Sequence, residues 1–211
     1  FSVPTGNFGD VYAGYLAKKI GLPINKFVVA TNQNDILHRA ISNGTYNIEN
    51  VSETITPSMD IQIASNFERL IYDLNNHSDE KTIEAMESIK EKGKYAISKE
   101  NLDKINIDFL SSSMDENEIL KTIKIIYEKF NIVLDPHSAI GYGAFDKVNL
   151  KGNNIVLATA HPCKFPNAIE KALDLKAELP NELAFILAEK ENYDIIENNI
   201  IKNKKHIKKR I

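Results

Sequence analysis

Three short apolar runs, Phe1–Val3, Phe27–Ala30 and Ile155–Ala158, are continuous instead of alternating, the pattern of strands buried on both faces. Ile132–Leu134 is a weaker fourth. Between them the apolar positions recur at helical spacing. Val11–Ile20 follows the first run and stops at Gly21, with Pro23 just beyond, a normal helix ending. From Ile63 onward Phe67, Leu70, Ile71 and Leu74 form one stripe, and Ile119, Ile123, Ile126, Tyr127 and Phe130 form a cleaner one. Asp135-Pro136 predicts an N-cap followed by proline at the first helical position, opening a helix through Ala139, Ile140 and Ala144. Pro166 opens another that buries Ala168, Ile169, Ala172 and Leu173. Strands alternating with helices predict an α/β domain with a largely parallel sheet.

The stretch 78–131 is richly charged, helical in pattern and poor in strand signals, and reads as a helical lobe or insertion. It divides the α/β domain into 1–77 and 132–175, with a C-terminal helix and basic tail over 176–211. Apolar residues make up 43% and charged residues 26% of the 211, a globular profile, and no apolar run approaches the roughly 18 residues a membrane span requires. Net charge is −3, but it is uneven: residues 202–210 carry six basic residues and no acid, against 20 basic and 29 acidic residues elsewhere. A single short basic run of this kind reads as a solvated end and argues against nucleic acid as a partner. One cysteine, Cys163, excludes an intramolecular disulfide and fits a reducing cytoplasm. The opening Phe1-Ser2-Val3-Pro4 reads as the tail of a strand with nothing before it, so the chain is expected to be the C-terminal part of something longer.

Where each predicted strand ends, the sequence turns polar: Thr5-Gly6-Asn7, Thr31-Asn32 and Thr159-Ala160-His161. Ligands of open α/β sheets sit in the crevice at the carboxyl ends of the strands, so these three ends form a candidate site. The sharpest local feature is Thr5-Gly6-Asn7-Phe8-Gly9-Asp10, between a strand and a helix. Its two glycines let the backbone approach a ligand, and the free N–H groups and positive dipole end of the helix suit a phosphate monoester. The same residues also suit a plain strand–helix turn with Asp10 as N-cap. They form neither a Walker loop nor a dinucleotide fingerprint.

Ser2-Val3-Pro4-Thr5-Gly6-Asn7-Phe8-Gly9-Asp10, followed by Ala13-Gly14 and Ala17-Lys18, resembles the cofactor-phosphate loop and adjoining helix of threonine synthases. These are pyridoxal-phosphate enzymes of the tryptophan-synthase-β type. Ala30-Thr31-Asn32-Gln33-Asn34-Asp35, Ser58-Met59-Asp60-Ile61 with Ser65-Asn66-Phe67-Glu68-Arg69, Asp135-Pro136-His137-Ser138-Ala139, and Thr159-Ala160-His161-Pro162 with Lys164-Phe165 resemble further segments of that family in the right order. The likeness covers most of residues 1–175. It implies part of a fold-type II architecture: a parallel-rich sheet flanked by helices, with a helical central lobe.

The resemblance further implies that pyridoxal 5′-phosphate is the cofactor. Gly6, Asn7, Phe8, Gly9 and Asp10 would hold its 5′-phosphate, mainly through backbone N–H groups, and Thr159 would set a hydroxyl beside the pyridine nitrogen. From the residues alone, Thr159 equally reads as a β-branched residue closing a strand. The implied reaction turns O-phosphohomoserine, a small-molecule substrate, and water into threonine and phosphate. The family carries its cofactor-binding lysine upstream of the phosphate loop, and no lysine here stands in a matching motif, so the chain by itself is expected to hold part of the site and not to catalyse. A serine or threonine dehydratase is an alternative, and the Asn7-Phe8 pair argues against it. A non-catalytic phosphate-binding module is another. His137, His161 and Cys163 form no standard metal set; both imidazoles read as packing or hydrogen-bonding groups near the cofactor pocket, and Cys163 as a small buried thiol. Lys164 and Arg69 could contact substrate phosphate or carboxylate, and by default read as solvated basic residues.

Overall fold

The computed structural model describes residues 1–210. Its elements run β1 (Ser2–Pro4), α1 (Gly9–Lys19), β2 (Phe27–Thr31), α2 (Ile36–Asn43), β3 (Thr45–Asn47), α3 (Phe67–Leu74), α4 (Asp79–Lys92), β4 (Lys94–Ala96), α5 (Lys99–Asp108), β5 (Phe109–Ser113), α6 (Glu116–Phe130), α7 (Pro136–Val148), α8 (Pro166–Leu173) and α9 (Ile200–Lys208). Two compact units share them, 1–177 and 178–211.

The sheet of the larger unit is parallel, in the order β1-β2-β5, with Val3 opposite Val29 and Val29 opposite Ser111. Helices cover both faces, which is why β2 is apolar at successive positions. Phe27 and Val29 join Phe8, Val11, Ile36, Leu37, Phe67 and Leu70 in one core. Val28 and Ala30 face the other way and join Ile119, Ile123, Ala139, Ile140 and Ile169. Every residue of β2 is buried, and at roughly 1.5–3 kcal/mol for a fully buried large apolar side chain such a strand fixes the register of its neighbours. β3 and β4 form a separate antiparallel pair, with Tyr46 opposite Tyr95.

Several pattern-based expectations change. The Ile155–Ala158 run reaches the sheet through one parallel bridge, Ser2 to Val156, with Ser2 N–H donating to the Ile155 carbonyl at 2.8 Å and Leu157 N–H to the Ser2 carbonyl at 3.0 Å. Ile132–Leu134 forms no strand: it finds no ladder partner, and Ile132 is exposed. The helix sought from Ile63 begins at Phe67, Ile63 itself being exposed. Residues 78–131 contain two strands, and β5 pairs with β2 along its whole length. The strand signal of β5 is masked because Phe109-Leu110 is followed by three serines, which carry little apolar patterning.

The smaller unit contains a 3₁₀ segment, Asn181–Ala188, and α9. Asn199 caps α9, its Oδ1 accepting from the amides of Ile201 and Lys202, and Lys202 pairs with Glu197. The basic tail is thus helical over much of its length. No helix among the described residues is long and apolar enough to cross a membrane.

Candidate functional site

β1 leads directly into the glycine-bearing turn. Thr5 N–H extends the ladder by donating to the Ala30 carbonyl at 2.9 Å, and the chain then leaves the sheet. Phe8 turns it into α1 from a left-handed conformation, φ 65° and ψ 4°. That geometry costs a non-glycine residue roughly 1–2 kcal/mol. Burial of the Phe8 ring offsets it: the ring is fully buried, edge-on to Phe67 at 5.2 Å and tilted against Phe109 at 5.9 Å. Phe8 N–H donates to Thr5 Oγ1 at 3.0 Å. The amides of Gly6, Asn7, Gly9 and Asp10 find no acceptor among the described residues. Four free donors that line one space are gathered at the start of α1, the kind of group that an anion accepts from.

A second backbone segment forms the floor. At Gly6 a Cβ would stand 2.9 Å from Met59 Cα and 3.0 Å from the Ser58 carbonyl oxygen, so only glycine admits this approach. The short 3₁₀ turn Pro57–Met59 is held by Asp60, whose Oδ1 accepts from Asn32 Nδ2 (2.8 Å), Asn34 Nδ2 (3.0 Å) and Thr54 Oγ1 (2.7 Å), while Oδ2 accepts from Thr54 N–H (2.8 Å). Asn7 ties the turn to the next loop: its Oδ1 accepts from Ser65 N–H and Oγ, and its carbonyl from Asn66 N–H.

The far wall comes from α7. Asp135 caps this helix, accepting from the amides of His137 (2.9 Å) and Ser138 (3.3 Å), from His137 Nδ1 (3.2 Å) and from Ser138 Oγ. Burial opposes ionisation of Asp135, but these hydrogen bonds from His137 and Ser138 outweigh it and hold the carboxyl below its ordinary value. Ser138 Oγ in turn accepts from Thr159 N–H at 3.0 Å, so the cap of α7 fixes the end of the last strand-like segment.

These parts enclose a cavity of about 330 Å³. Gly6, Asn7, Gly9, Asp10 and Thr159 all line it, so residues about 150 positions apart share one space. Phe8 lies outside, as the anchor of the turn, with its amide already engaged. The Thr31-Asn32 strand end does not reach the cavity: Asn32 is fully buried and braces Asp60. His137, expected near the pocket, lines the cavity, as do Lys164, Phe165 and Asn66. The available signal for His137 is its place two residues after Asp135, at the buried amino-terminal end of α7. His161 lies elsewhere, exposed, with Nδ1 accepting from Cys163 N–H at 3.2 Å. Among the described residues no group of His, Cys, Asp and Glu could hold a metal ion.

A parallel sheet sheathed by helices, with a glycine-opened anion seat at the carboxyl ends of its strands, is the architecture of the fold-type II class of pyridoxal-phosphate enzymes. Residues 138–207 match the family model "Threonine synthase, C-terminal". The chain is 39% identical to the threonine synthase of Pseudomonas aeruginosa over 205 residues, covering 96% of this chain and 44% of that protein. It is also 39% identical to that of Saccharomyces cerevisiae, covering 96% and 45%. The structure superposes on pyridoxal-phosphate-bound threonine synthase from Brucella melitensis with a TM-score of 0.90 and 39% identity, over 99% of this chain and 45% of that one. The chain is similar to threonine synthases and spans slightly less than half the length of these relatives.

Proposed function

We propose that this chain supplies the phosphate-seat portion of a threonine synthase, a pyridoxal-phosphate-dependent carbon–oxygen lyase that converts O-phospho-L-homoserine and water to L-threonine and phosphate. The observation that carries the reading is the set of four acceptor-free amides, Gly6, Asn7, Gly9 and Asp10, at the amino end of α1. Their number fits the 5′-phosphate of pyridoxal phosphate, which needs several donors, and the close backbone approach at Gly6 brings the Ser58–Met59 floor beneath them. When bound, the cofactor supplies an electron sink for deprotonation next to the substrate amine.

The chain's own residues bind and orient. The four amides hold the phosphate, and the dipole of α1 favours its negative charge. Phe8 keeps the turn in its left-handed form, and Asp60, through Ser58–Met59, keeps the floor in place. Thr159, which lines the cavity, would offer a neutral hydroxyl to the cofactor's ring nitrogen. Its backbone is pinned through Ser138 to Asp135. No lysine of the chain stands in a motif matching the family's cofactor-binding lysine, so turnover belongs to a protein that also carries that residue, and the chain alone is inactive. The single cysteine supports a cytoplasmic site of action.

Gly9→Ala tests the reading. A Cβ at Gly9 would lie 3.4 Å from Asn66 Nδ2, an ordinary contact, but on a cavity-lining position. Alanine is favoured over glycine in a helix by up to about 1 kcal/mol, so stability should hold or rise. Cofactor affinity, read by absorbance titration with pyridoxal 5′-phosphate, should fall roughly tenfold or more, a loss of about 1.4 kcal/mol. Unchanged affinity rejects the seat.

A further inference from the structure

His137 carries a polar atom with nothing to bond. The residue is 5% exposed and its Nε2 has no hydrogen-bond partner among the described residues, yet the residue lines the cavity over the Gly6–Asp10 turn. Leaving a buried donor or acceptor unpaired costs about 1–3 kcal/mol, and native structures keep few such atoms without a functional reason. Thr31 Oγ1 is also buried and unpaired, but Thr31 does not line the cavity.

The ring is not free to turn away and satisfy itself elsewhere. Nδ1 stands 3.2 Å from Asp135 Oδ1, and the Phe165 ring packs against the imidazole with centroids 4.6 Å apart. Asp135 is an ionised carboxylate that already accepts from two amides and from Ser138 Oγ, so it can only accept, and Nδ1 must carry the hydrogen between them. Nε2 is therefore the ring nitrogen left to meet an oxygen of a ligand.

We propose that His137 is a ligand-contacting residue of this cavity, its Nε2 hydrogen-bonding an oxygen of the molecule seated on the Gly6–Asp10 amides, with Asp135 as the residue that orients the ring. This rests on the cofactor reading above and adds to it a side-chain contact that the loop and Thr159 do not supply. The Asp135 cap then has two outputs. Through Ser138 it holds the backbone of Thr159, and through His137 it aims a ring nitrogen at the ligand.

Two substitutions separate contact from packing, made in the natural full-length protein. His137→Asn places an amide where Nδ1 stands, keeping the bond to Asp135 and losing Nε2. His137→Gln reaches the position of Nε2 and gives up the bond to Asp135. A ligand contact predicts that His137→Asn weakens pyridoxal 5′-phosphate binding roughly tenfold or more while His137→Gln stays within about threefold of the parent, since a hydrogen bond to a charged group is worth about 1.5 kcal/mol or more. A purely structural role predicts the opposite order, and that order overturns the proposal. Melting without ligand reports packing separately. Should both variants fail to fold, the ¹⁵N resonance of His137 Nε2 in the parent decides: it shifts on addition of pyridoxal 5′-phosphate if the contact forms, and an unmoved resonance overturns it. Repeating the titrations with inorganic phosphate and with pyridoxal assigns the oxygen to the phosphate or the ring end, and a loss seen with neither counts against the contact. A parent that binds no pyridoxal 5′-phosphate overturns the cofactor reading and this inference with it. A parent that binds, matched by His137→Asn, overturns the inference alone.

Discussion

Asp135→Asn isolates the charge at the centre of the α7 cap. The side chain is fully buried and gathers donors from His137 and Ser138, both backbone and side chain. Asparagine is as good an N-cap as aspartate, so the helix start survives. What disappears is one acceptor oxygen and the negative charge, since the amide nitrogen that replaces Oδ2 cannot accept from the Ser138 hydroxyl. One buried hydrogen bond to a charged group costs about 2 kcal/mol to lose. For a chain of this size each kcal/mol moves the melting midpoint by about 2–4 °C, so Tm should fall by about 4–8 °C at neutral pH.

The pH dependence carries the sharper test. The Asp135 carboxyl titrates below its ordinary value of 3.8 in the folded protein. A depressed carboxylate stabilises the fold fully above its unfolded pKa and loses that contribution as pH falls through the folded one. The stability gap between parent and Asp135→Asn should therefore be full near neutrality and close progressively below about pH 4. Denaturant unfolding at stepped pH measures it. A gap that stays constant across the acid range, or no gap at pH 7, refutes the assignment of the charge to this cap.

Two other substitutions probe the floor and the far wall. Gly6→Ala sets a methyl against the backbone of Ser58 and Met59, which Asp60 prevents from yielding, so stability should drop by about 1–3 kcal/mol; an unshifted melting midpoint would show that the floor gives way. Ser138→Ala removes the acceptor of Thr159 N–H, and should cost about 1 kcal/mol of stability and weaken pyridoxal 5′-phosphate binding by about three- to tenfold. Parent-like cofactor affinity in that variant contradicts the link from the α7 cap to Thr159.

Much of this arrangement is legible from local chemistry. The Asp135-Pro136 cap, the run buried in β2 and the glycine turn after β1 each depend on near neighbours in sequence, so short-range patterns reveal them. β5 escaped because its place in the sheet is set by pairing with β2 and not by its own serine-rich composition. The strand end Thr31-Asn32 is polar like the other two, but its amide turns to Asp60, a partner 28 residues away that no local pattern announces. His137 is legible as a group near the pocket, but its place in the cavity lining is not, for a related reason. Its neighbours in sequence define a helix start, whereas its meaning comes from the cavity formed with the turn at Gly6 and the segment at Thr159.

The seat at Gly6–Asp10 exists only as an assembly. Its amides belong to the first ten residues, its floor to Ser58 and Met59, and its far side to His137 and Thr159. A partly folded chain that has made only its local helices therefore offers a phosphate nothing to grip. Binding energy is confined to the finished fold, and a saturating ligand should raise resistance to proteolysis across the whole larger unit, rising with the logarithm of ligand concentration once above the dissociation constant. Foldedness is the precondition of occupancy, and cofactor supply would add to the stability that the fold already has.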